Sequence, residues 1–483
     1  MDPVIDPVLI RPKGKAGWLA ILLFSLPFSA FGMFALISAG GKLRAGNVRE
    51  AGFLALFALI FGGVGTLLLT LAIHSRKAGA KEDDLRAQNP EAPWLWRPDW
   101  ATGLVKSSTK SGMVFAWVFA IFWNLVSAPI LFLVPAEVAK KHNPPALIAL
   151  LFPIIGLGLL AWAIHLTLRW RKFGDSIFGM ASVPGAIGGA LEGLIRPARP
   201  FFHAEGCQVR LSCIRRRTTG SGKNRNTTES VLWDDTETSQ PDMNGNLPVS
   251  FAIPADAAET DSSDPSNLLL WRLEALAKVP GVDYAAQFEV PVFRVALTPE
   301  ATQRAEEVRA RERAEMADYQ QPPSSRIRVR PSGLGAEFYF STARNPGAAL
   351  GLTVFGTIWF AVIWAIFHFG APLLFRIVFS VAGAFILYGM LRMWFAVTRV
   401  VIAPGQATVT DGLFGWGSSR VIPAGEIAEI KVATGMTAGT TVYHDLKIVG
   451  TNGRKTGAGN SIRDRREAEW LASEMMRLLA PRR

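Results

Sequence analysis

The sequence predicts a membrane protein with about six transmembrane helices in three hairpins, which also carries two β-rich domains. Six apolar stretches, none containing Asp or Glu, each approach the ~20 residues needed to cross a bilayer. Lys and Arg concentrate beside one set of their ends, and two segments outside them show the short alternating runs typical of strands. The chain has 483 residues, of which 49% are hydrophobic, and its net charge is +12.

The apolar stretches pair along the chain into hairpins. They cover residues 17–38, 53–73, 113–134, 146–167, 347–369 and 371–391. The first is longer than the apolar core of a secretory signal and has no clear small-x-small cleavage site followed by a soluble domain, so we expect it to remain as a helix. The predicted divisions are hairpin 1 (1–78), a Trp-rich cytoplasmic loop (79–112), hairpin 2 (113–171), a β-sandwich (172–298), a charged helix and linker (299–346), hairpin 3 (347–394) and a terminal β domain (395–483).

The distribution of positive charge predicts the orientation. Sixteen Lys and Arg residues flank one set of helix ends and six flank the other. By the positive-inside rule, both termini and the segment 168–346 lie in the cytoplasm, with the chain in the inner (plasma) membrane. The lipid bilayer is then one partner of the protein.

The loop between the first two hairpins contains Pro93-Trp94-Leu95-Trp96-Arg97-Pro98-Asp99-Trp100. Three tryptophans beside charge suggest two interpretations, a contact with a lipid headgroup or protein partner and an interfacial aromatic anchor. The anchor is favoured because Trp belts are general at membrane interfaces. The candidate contact residues are Trp94, Trp96, Arg97 and Trp100.

Residues 172–297 predict a two-sheet sandwich, because short apolar runs alternate with polar turns. A Pro184-Gly185 turn precedes one strand, and a Pro248-x-x-Phe251-x-x-Pro254 strand precedes a long one. These features resemble the arrestin-type sandwich. The resemblance implies the fold alone, since the family's receptor-binding elements have no recognisable equivalents here. With its helix pairs, the chain resembles bacterial membrane proteins classed as domains of unknown function.

The terminal segment predicts short strands between residues 400 and 449, a turn at Asn452-Gly453 and a closing helix over 462–479. Ser461 or Asp464 would cap this helix. One face of the helix carries Ala468, Leu471, Ala472, Met475 and Leu479. This order of elements resembles the small pleckstrin-homology-like domains of bacterial membrane proteins. A separate charged helix is predicted over 299–321, ending before Pro322-Pro323.

The segment 218–223 resembles a phosphate-binding loop but lacks its requirements. Arg217 stands where the Walker pattern needs Gly, Asn224 stands where it needs Ser or Thr, and a strand follows in place of a helix. We therefore interpret the segment as a β-hairpin tip. The tip is basic, and the candidate contacts to lipid or an acidic protein are Arg215, Arg216, Arg217, Lys223 and Arg225. Nucleic acid is not expected, because no aromatic residues are interleaved.

The sequence supplies no catalytic, metal or cofactor site. The six histidines have no metal-ligand spacing, and Cys207 and Cys213 would lie roughly 20 Å apart along a strand, as small buried residues. The sequence therefore favours a non-enzymatic inner-membrane scaffold or binding protein that presents cytoplasmic β domains to a protein or lipid partner. The alternative is a transporter or channel component whose pathway is lined by backbone and hydroxyl groups or is formed only on oligomerisation. An enzyme acting on lipid would need convergent acidic or His residues, and oligomeric state is not predicted.

Overall fold

A computed structural model describes residues 14–141, 147, 149–202, 206–220, 226–323, 325–333, 335–370, 372–438 and 441–479. The described residues through Arg309 form one compact unit, and those from Ala310 form a second. Helices in the described residues are α1 (Gly14–Arg44), α2 (Val48–Gln88), α3 (Pro98–Ala101), α4 (Thr109–Lys141), α5 (Leu151–Phe173), α6 (Pro299–Ala317), α7 (Pro346–His368), α8 (Leu373–Phe395) and α9 (Arg465–Leu479).

The strands follow the short alternating runs of the sequence. In the first unit they are β1 (Leu104–Lys106), β2 (Ser176–Met180), β3 (Gly185–Ala186), β4 (Ala190–Pro197), β5 (Cys207–Thr219), β6 (Asn226–Ser239), β7 (Leu247–Ala252), β8 (Asn267–Ala277), β9 (Tyr284–Val290) and β10 (Val292–Phe293). In the second they are β11 (Ile327–Ser332), β12 (Gly335–Phe340), β13 (Ala396–Ala403), β14 (Gln406–Leu413), β15 (Trp416–Pro423), β16 (Ile427–Ala438), β17 (Thr441–Gly450) and β18 (Lys455–Ile462).

Six helices of the described chain, α1, α2, α4, α5, α7 and α8, are long and apolar enough to cross a membrane. Their candidate spans run 20 to 27 residues, and at most 17% of the most apolar 18-residue part of any span is buried within the protein. Apolar side chains left uncovered on this scale need a lipid solvent. The six apolar helices predicted from the sequence are therefore confirmed, and they indicate a membrane protein.

Small residues let α1 and α2 approach closely. A Cβ added at Gly32 would overlap the backbone of Gly62, and one added at Gly65 would lie 2.5 Å from Oγ of Ser29. In lipid, packing of this kind replaces the hydrophobic drive that holds soluble helices together. Phe61 stacks on Phe57, with ring centroids 5.0 Å apart, beside this contact.

Indole and amide donors join the other helix pairs. The Nδ2 of Asn124 on α4 donates to the carbonyl of Gly156 on α5 at 2.9 Å. The indole of Trp117 donates to Oγ1 of Thr167 at 2.8 Å between the same two helices. In the second unit, the indole of Trp394 on α8 donates to a hydroxyl on α7, Oγ1 of Thr353, at 2.8 Å. Such bonds satisfy polar groups that have no water partner in hydrocarbon.

Two antiparallel four-stranded sheets form the β-sandwich of the first unit. One has the order β1-β2-β4-β7 and the other β6-β5-β8-β9, and one buried cluster fills the space between them. Its largest fully buried side chains include Trp271, Tyr284, Phe178 and Phe288. The indole of Trp271 donates to the carbonyl of Ala258 at 2.9 Å, which satisfies its one polar group.

The α4–α5 pair is inserted between two neighbouring strands of this sandwich. Strand β1 pairs with β2 from Leu104↔Gly179 to Lys106↔Ile177, and the chain between them forms the two helices. The end of α5 enters the domain, where Phe173 is buried in the sandwich core. The Nζ of Lys172 donates to the carbonyls of Pro280 at 2.6 Å and Val282 at 2.9 Å. The ends of α4 and α5 are therefore joined to the sandwich by the β1–β2 ladder and by the Lys172 hydrogen bonds.

The second unit repeats this arrangement. Strand β12 pairs with β13 from Ala336↔Ile402 to Phe340↔Thr398, and the chain between them forms α7 and α8. The five-stranded sheet β11-β12-β13-β14-β15 packs with the sheet β16-β17-β18 and with α9 around one core. The predicted charged helix and linker (299–346) therefore also contains two strands of this sheet, β11 and β12.

Several local predictions are confirmed. All five apolar residues assigned to one face of the closing helix are buried. Asp464 caps this helix, since its Oδ1 accepts the backbone N–H of Arg466 at 2.9 Å. Gly370, with φ of +70°, lies in the short connection between α7 and α8, between the predicted apolar stretches 347–369 and 371–391. The charged helix appears as α6.

Replacement of Gly32 by Val tests the α1–α2 contact. We expect Gly32→Val to destabilise the purified protein by about 1–3 kcal/mol, because the added carbons meet the backbone of α2. Gly40→Val is the matched control, since a Cβ at Gly40 meets nothing within 4 Å. Thermal unfolding in detergent measures both variants, and equal midpoints for the two would contradict the close contact.

Candidate functional site

The Trp-rich segment closes one end of the sandwich. Trp100 is buried in the core, and its indole donates to the carbonyl of Glu289 on β9 at 2.9 Å. The guanidinium of Arg97 lies 4.0 Å from the Trp100 ring centroid and forms ion pairs of 2.6 Å with Glu289 and 2.8 Å with Asp99. Burial opposes the charge on Arg97, but the two carboxylates prevail and raise its pKa. Arg97 is thus a fixed cation inside the domain.

The other two tryptophans lie at the edge of the same cluster. The ring of Trp94 packs 5.5 Å from that of Phe293, and the indole of Trp96 donates to the carbonyl of Asn89 at 2.7 Å. Arg86, near the end of α2, places its guanidinium 4.4 Å from the Trp96 ring centroid. Both tryptophans are half-buried. The segment therefore joins α2 to the sandwich, and a contact of its outer faces with lipid or a partner stays a prediction.

The basic residues of the predicted hairpin tip that the structure describes do not share one environment. Thr219 on β5 pairs with Asn226 on β6, as the hairpin interpretation requires. Lys223 and Arg225 lie outside the described residues. Arg216 is buried, and its Nε donates to Oε1 of Glu229 at 2.7 Å.

Its two neighbours differ in exposure. Arg217 is exposed, whereas Arg215 is half-buried and its Nε has no hydrogen-bond partner in the described part of the chain. Of the basic residues that the structure describes here, Arg217 is the one that presents its charge openly to solvent.

Both cysteines lie in the sandwich core. Cys207 and Cys213 are free thiols on β5, and burial raises the pKa of each to about 11. An unfolded thiol ionises nearer pH 8.5. The free energy of unfolding is therefore unaffected by ionisation of these thiols below about pH 8.5. It falls as the pH rises from there towards 11, because the unfolded thiols ionise while the buried ones stay neutral.

The second unit contains a polar cleft that the sequence did not predict. Its volume is about 330 Å³. The cleft lies between β15 and β18, each of which is the last strand of its sheet. Its lining residues are Thr398, Val409, Asp411, Ser418, Ser419, Arg420, Thr456, Gly457, Gly459 and Asn460.

Strand register explains the polarity of the cleft. Ile402, Ala407 and Ile422 form one cross-strand row of β13, β14 and β15, and all three are buried in the core. Because side chains on one face recur every second residue, the next two rows on this face end at β15 in Arg420 and Ser418. The face thus changes from apolar to polar along the strands towards the end of α8, where β13 begins.

The carboxylate of Asp411 is held at this polar end. Oγ1 of Thr398 donates to Oδ1 of Asp411 at 2.8 Å, and Arg392 on α8 donates to Oδ2 at 2.9 Å. Arg344, just before α7, donates to the carbonyl of Asn460 at 2.7 Å and to its Oδ1 at 2.6 Å. Burial lowers the pKa of Arg344 to about 10, and it remains a cation at neutral pH.

Arg420 is the group best placed to bind a ligand. It is exposed, and in the described residues it makes one long hydrogen bond, 3.4 Å from Oγ1 of Thr456. A guanidinium carries five N–H donors, so most of them remain open to the cleft. Hydroxyls of Ser418 and Thr456 lie beside it. This chemistry suits a phosphate, a carboxylate or the backbone of a partner.

The described residues hold no cluster of three or more His, Cys, Asp or Glu that could bind a metal ion. Sequence reasoning missed the cleft because its side chains come from four strands. The one signal available was polar residues at core-facing positions of an alternating strand, Asp411 two residues after Val409.

Loss of Arg97 should loosen the sandwich, with the two buried cysteines as reporters. In native protein at pH 8 we expect both thiols to resist a thiol reagent. Arg97→Ala removes charged hydrogen bonds worth about 2 kcal/mol, so labelling should speed up by roughly tenfold or more. Arg217→Ala, which removes an exposed charge, should leave the rate unchanged. Mass spectrometry of labelled peptides measures the rates, and equal rates would mean that the cluster does not hold the domain closed.

No protein-family model matches this sequence, and no curated protein matches it. Among solved structures, the chain is similar to the crystal structure of Spo0M, a sporulation control protein from Bacillus subtilis. The alignment covers 49% of this chain and 78% of that chain, with 9% sequence identity and a TM-score of 0.18. A similarity of this size supports no conclusion about the function of the chain.

Proposed function

We propose that the chain is a non-enzymatic scaffold of the inner (plasma) membrane that presents two cytoplasmic β domains to a protein or lipid partner. One observation carries the proposal: in each unit a pair of apolar helices is inserted between two paired strands, β1 with β2 and β12 with β13. Such an insertion holds a folded domain at a fixed distance from the bilayer. A protein built to display surfaces at the membrane needs this arrangement.

The folds that we propose for the two domains belong to binding modules. Two four-stranded sheets suit an arrestin-type sandwich, and β12 to β18 followed by α9 suit a pleckstrin-homology-like domain. Fold analogy of this kind is an association only. We also propose three membrane hairpins, α1 with α2, α4 with α5, and α7 with α8. No apolar helix lies between α5 and α7 in the described chain, so both domains would share one side of the membrane.

The excess of Lys and Arg at the domain side supports a cytoplasmic location. We expect a membrane-impermeant thiol reagent to label Ala45→Cys, in the α1–α2 turn, in intact spheroplasts. It should label Gln406→Cys, the exposed first residue of β14, only after the membrane is opened. The buried native thiols should not compete. Labelling of Gln406→Cys in sealed spheroplasts would reverse the orientation.

We propose the cleft beside Arg420 as the binding site for the partner. Arg420→Gln removes the open guanidinium, so affinity for the partner should fall by about tenfold or more. Arg454→Gln is the matched control, because Arg454 is an exposed arginine in the β17–β18 turn of the same domain. Quantitative copurification from native membranes, protein and lipid both analysed, measures the loss.

Three outcomes would count against these proposals. If both variants retain the same partner, the cleft is not its site. If the unmodified chain retains nothing beyond ordinary lipid, the scaffold proposal fails. Solute flux through the purified protein in proteoliposomes would favour a transporter or channel component instead.

A further inference from the structure

The turn between β14 and β15 carries large apolar side chains that remain mostly exposed in the described part of the chain. Phe414 is 64% exposed and Trp416 is 88% exposed, an unusual degree of exposure for either residue. Leu413 pairs with Trp416 across the turn. In water the exposed parts of these rings would add no stability, since burial is what makes aromatic side chains stabilising.

The turn lies against the end of an apolar helix. The backbone N–H of Phe414 donates to the carbonyl of Phe395, the last residue of α8, at 2.9 Å. The two phenyl rings stack with centroids 4.6 Å apart. Since α8 is one of the helices fit to cross a membrane, its end marks the level where hydrocarbon gives way to headgroups. The exposed rings of the turn therefore lie near the boundary between hydrocarbon and headgroups.

The backbone of the turn is unfavourable for the residue that it carries. Phe414 has φ of +56° and Gly415 has φ of +82°, the two positive values of a type I′ turn. Asn or Asp is preferred at the first of these positions, and other L-residues pay roughly 1–2 kcal/mol for the left-handed region. A phenylalanine at this point costs stability in water, which an interaction outside the domain can offset.

The charge around the turn also suits a membrane surface. Arg392, on the last turn of α8, and Arg344, just before α7, lie at the same end of the domain. Their carboxylate neighbour Asp411 is already bonded to Arg392 and Thr398. The two guanidiniums and the Asp411 carboxylate together carry a net charge of +1, which favours anionic lipid at this depth. Trp favours the interface between headgroups and acyl chains.

We propose that residues 413–416 insert into the interfacial layer of the bilayer beside the end of α8. The occupant of this surface is lipid, because the turn is continuous with a membrane-crossing helix through Phe395. The inserted turn is a second attachment of the domain, added to the α7–α8 pair. It fixes the domain so that the polar end of the cleft, with Thr398, Asp411 and Ser418, faces the headgroups. This inference rests on the membrane location under the proposed function.

Depth measurement on the full chain tests the insertion. Leu413→Cys, labelled with a polarity-sensitive fluorophore, keeps both aromatic rings of the turn. In vesicles of phosphatidylcholine and phosphatidylglycerol, we expect blue-shifted emission, strong quenching by nitroxides on the lipid acyl chains and little quenching by aqueous iodide. The matched control is Gln406→Cys, exposed at the other end of β14 and roughly 23 Å away. Its label should show the opposite pattern, and the same pattern at both positions would overturn the proposal.

Two further variants separate the alternatives. Phe385→Cys, on the exposed side of α8, should be quenched by nitroxides deep in the acyl chains. If it is not, the membrane location itself fails, whereas quenching at 385 without quenching at 413 rejects only the inserted turn. The double change Phe414→Asn, Trp416→Ser suits a type I′ turn and should keep the domain folded. With the label at 413, it should lose most of the nitroxide quenching, and unchanged quenching would show that the rings do not anchor the turn.

Discussion

The central constraint on this molecule is the antiparallel ladder from which each inserted helix pair emerges. Paired strands lie about 4.8 Å apart, whereas packed helices lie 8–10 Å apart, so the chain must spread as it leaves the sheet. It does so within a few residues, from Lys106↔Ile177 in one unit and from Phe340↔Thr398 in the other. A domain joined through two adjacent strands cannot turn freely about a single linker. Its orientation follows that of its helices.

The Trp-rich segment adds a further tie within the first unit. Helix α2 has 41 residues, about 60 Å, and so extends well beyond the ~30 Å of hydrocarbon. Its end meets the segment at the Arg86–Trp96 contact, and Arg97 and Trp100 then bind Glu289 on β9. The tryptophans predicted as interfacial anchors thus connect a long helix to a sandwich. Composition alone could not separate these roles, because both need an aromatic ring with one polar atom.

Local sequence patterns predicted most helices and strands of this chain, but they did not predict which strands pair across long insertions. The apolar helices were evident because lipid demands long acid-free runs, and β13 to β18 because alternation marks half-buried strands. The sequence did not show that β12 pairs with β13, since the whole α7–α8 pair separates them. Nor did it show β1, a strand of three residues whose partner β2 follows two helices later. Periodicity carries no information about partners across an insertion.

The cleft shows why a binding surface is harder to predict than a strand. A row such as Thr398, Asp411 and Ser418 exists only when the register of three strands is known. A polar row lowers the stability of the domain, because the core-facing side of a sheet normally contributes stability through apolar burial. Here the inner face stays apolar at Ile402 and becomes polar at the end where α8 enters. Under the proposed membrane location, attachment of the domain through α7 and α8 would offset the stability lost at this open, hydrated edge. The attachment and the polar cleft would then depend on each other.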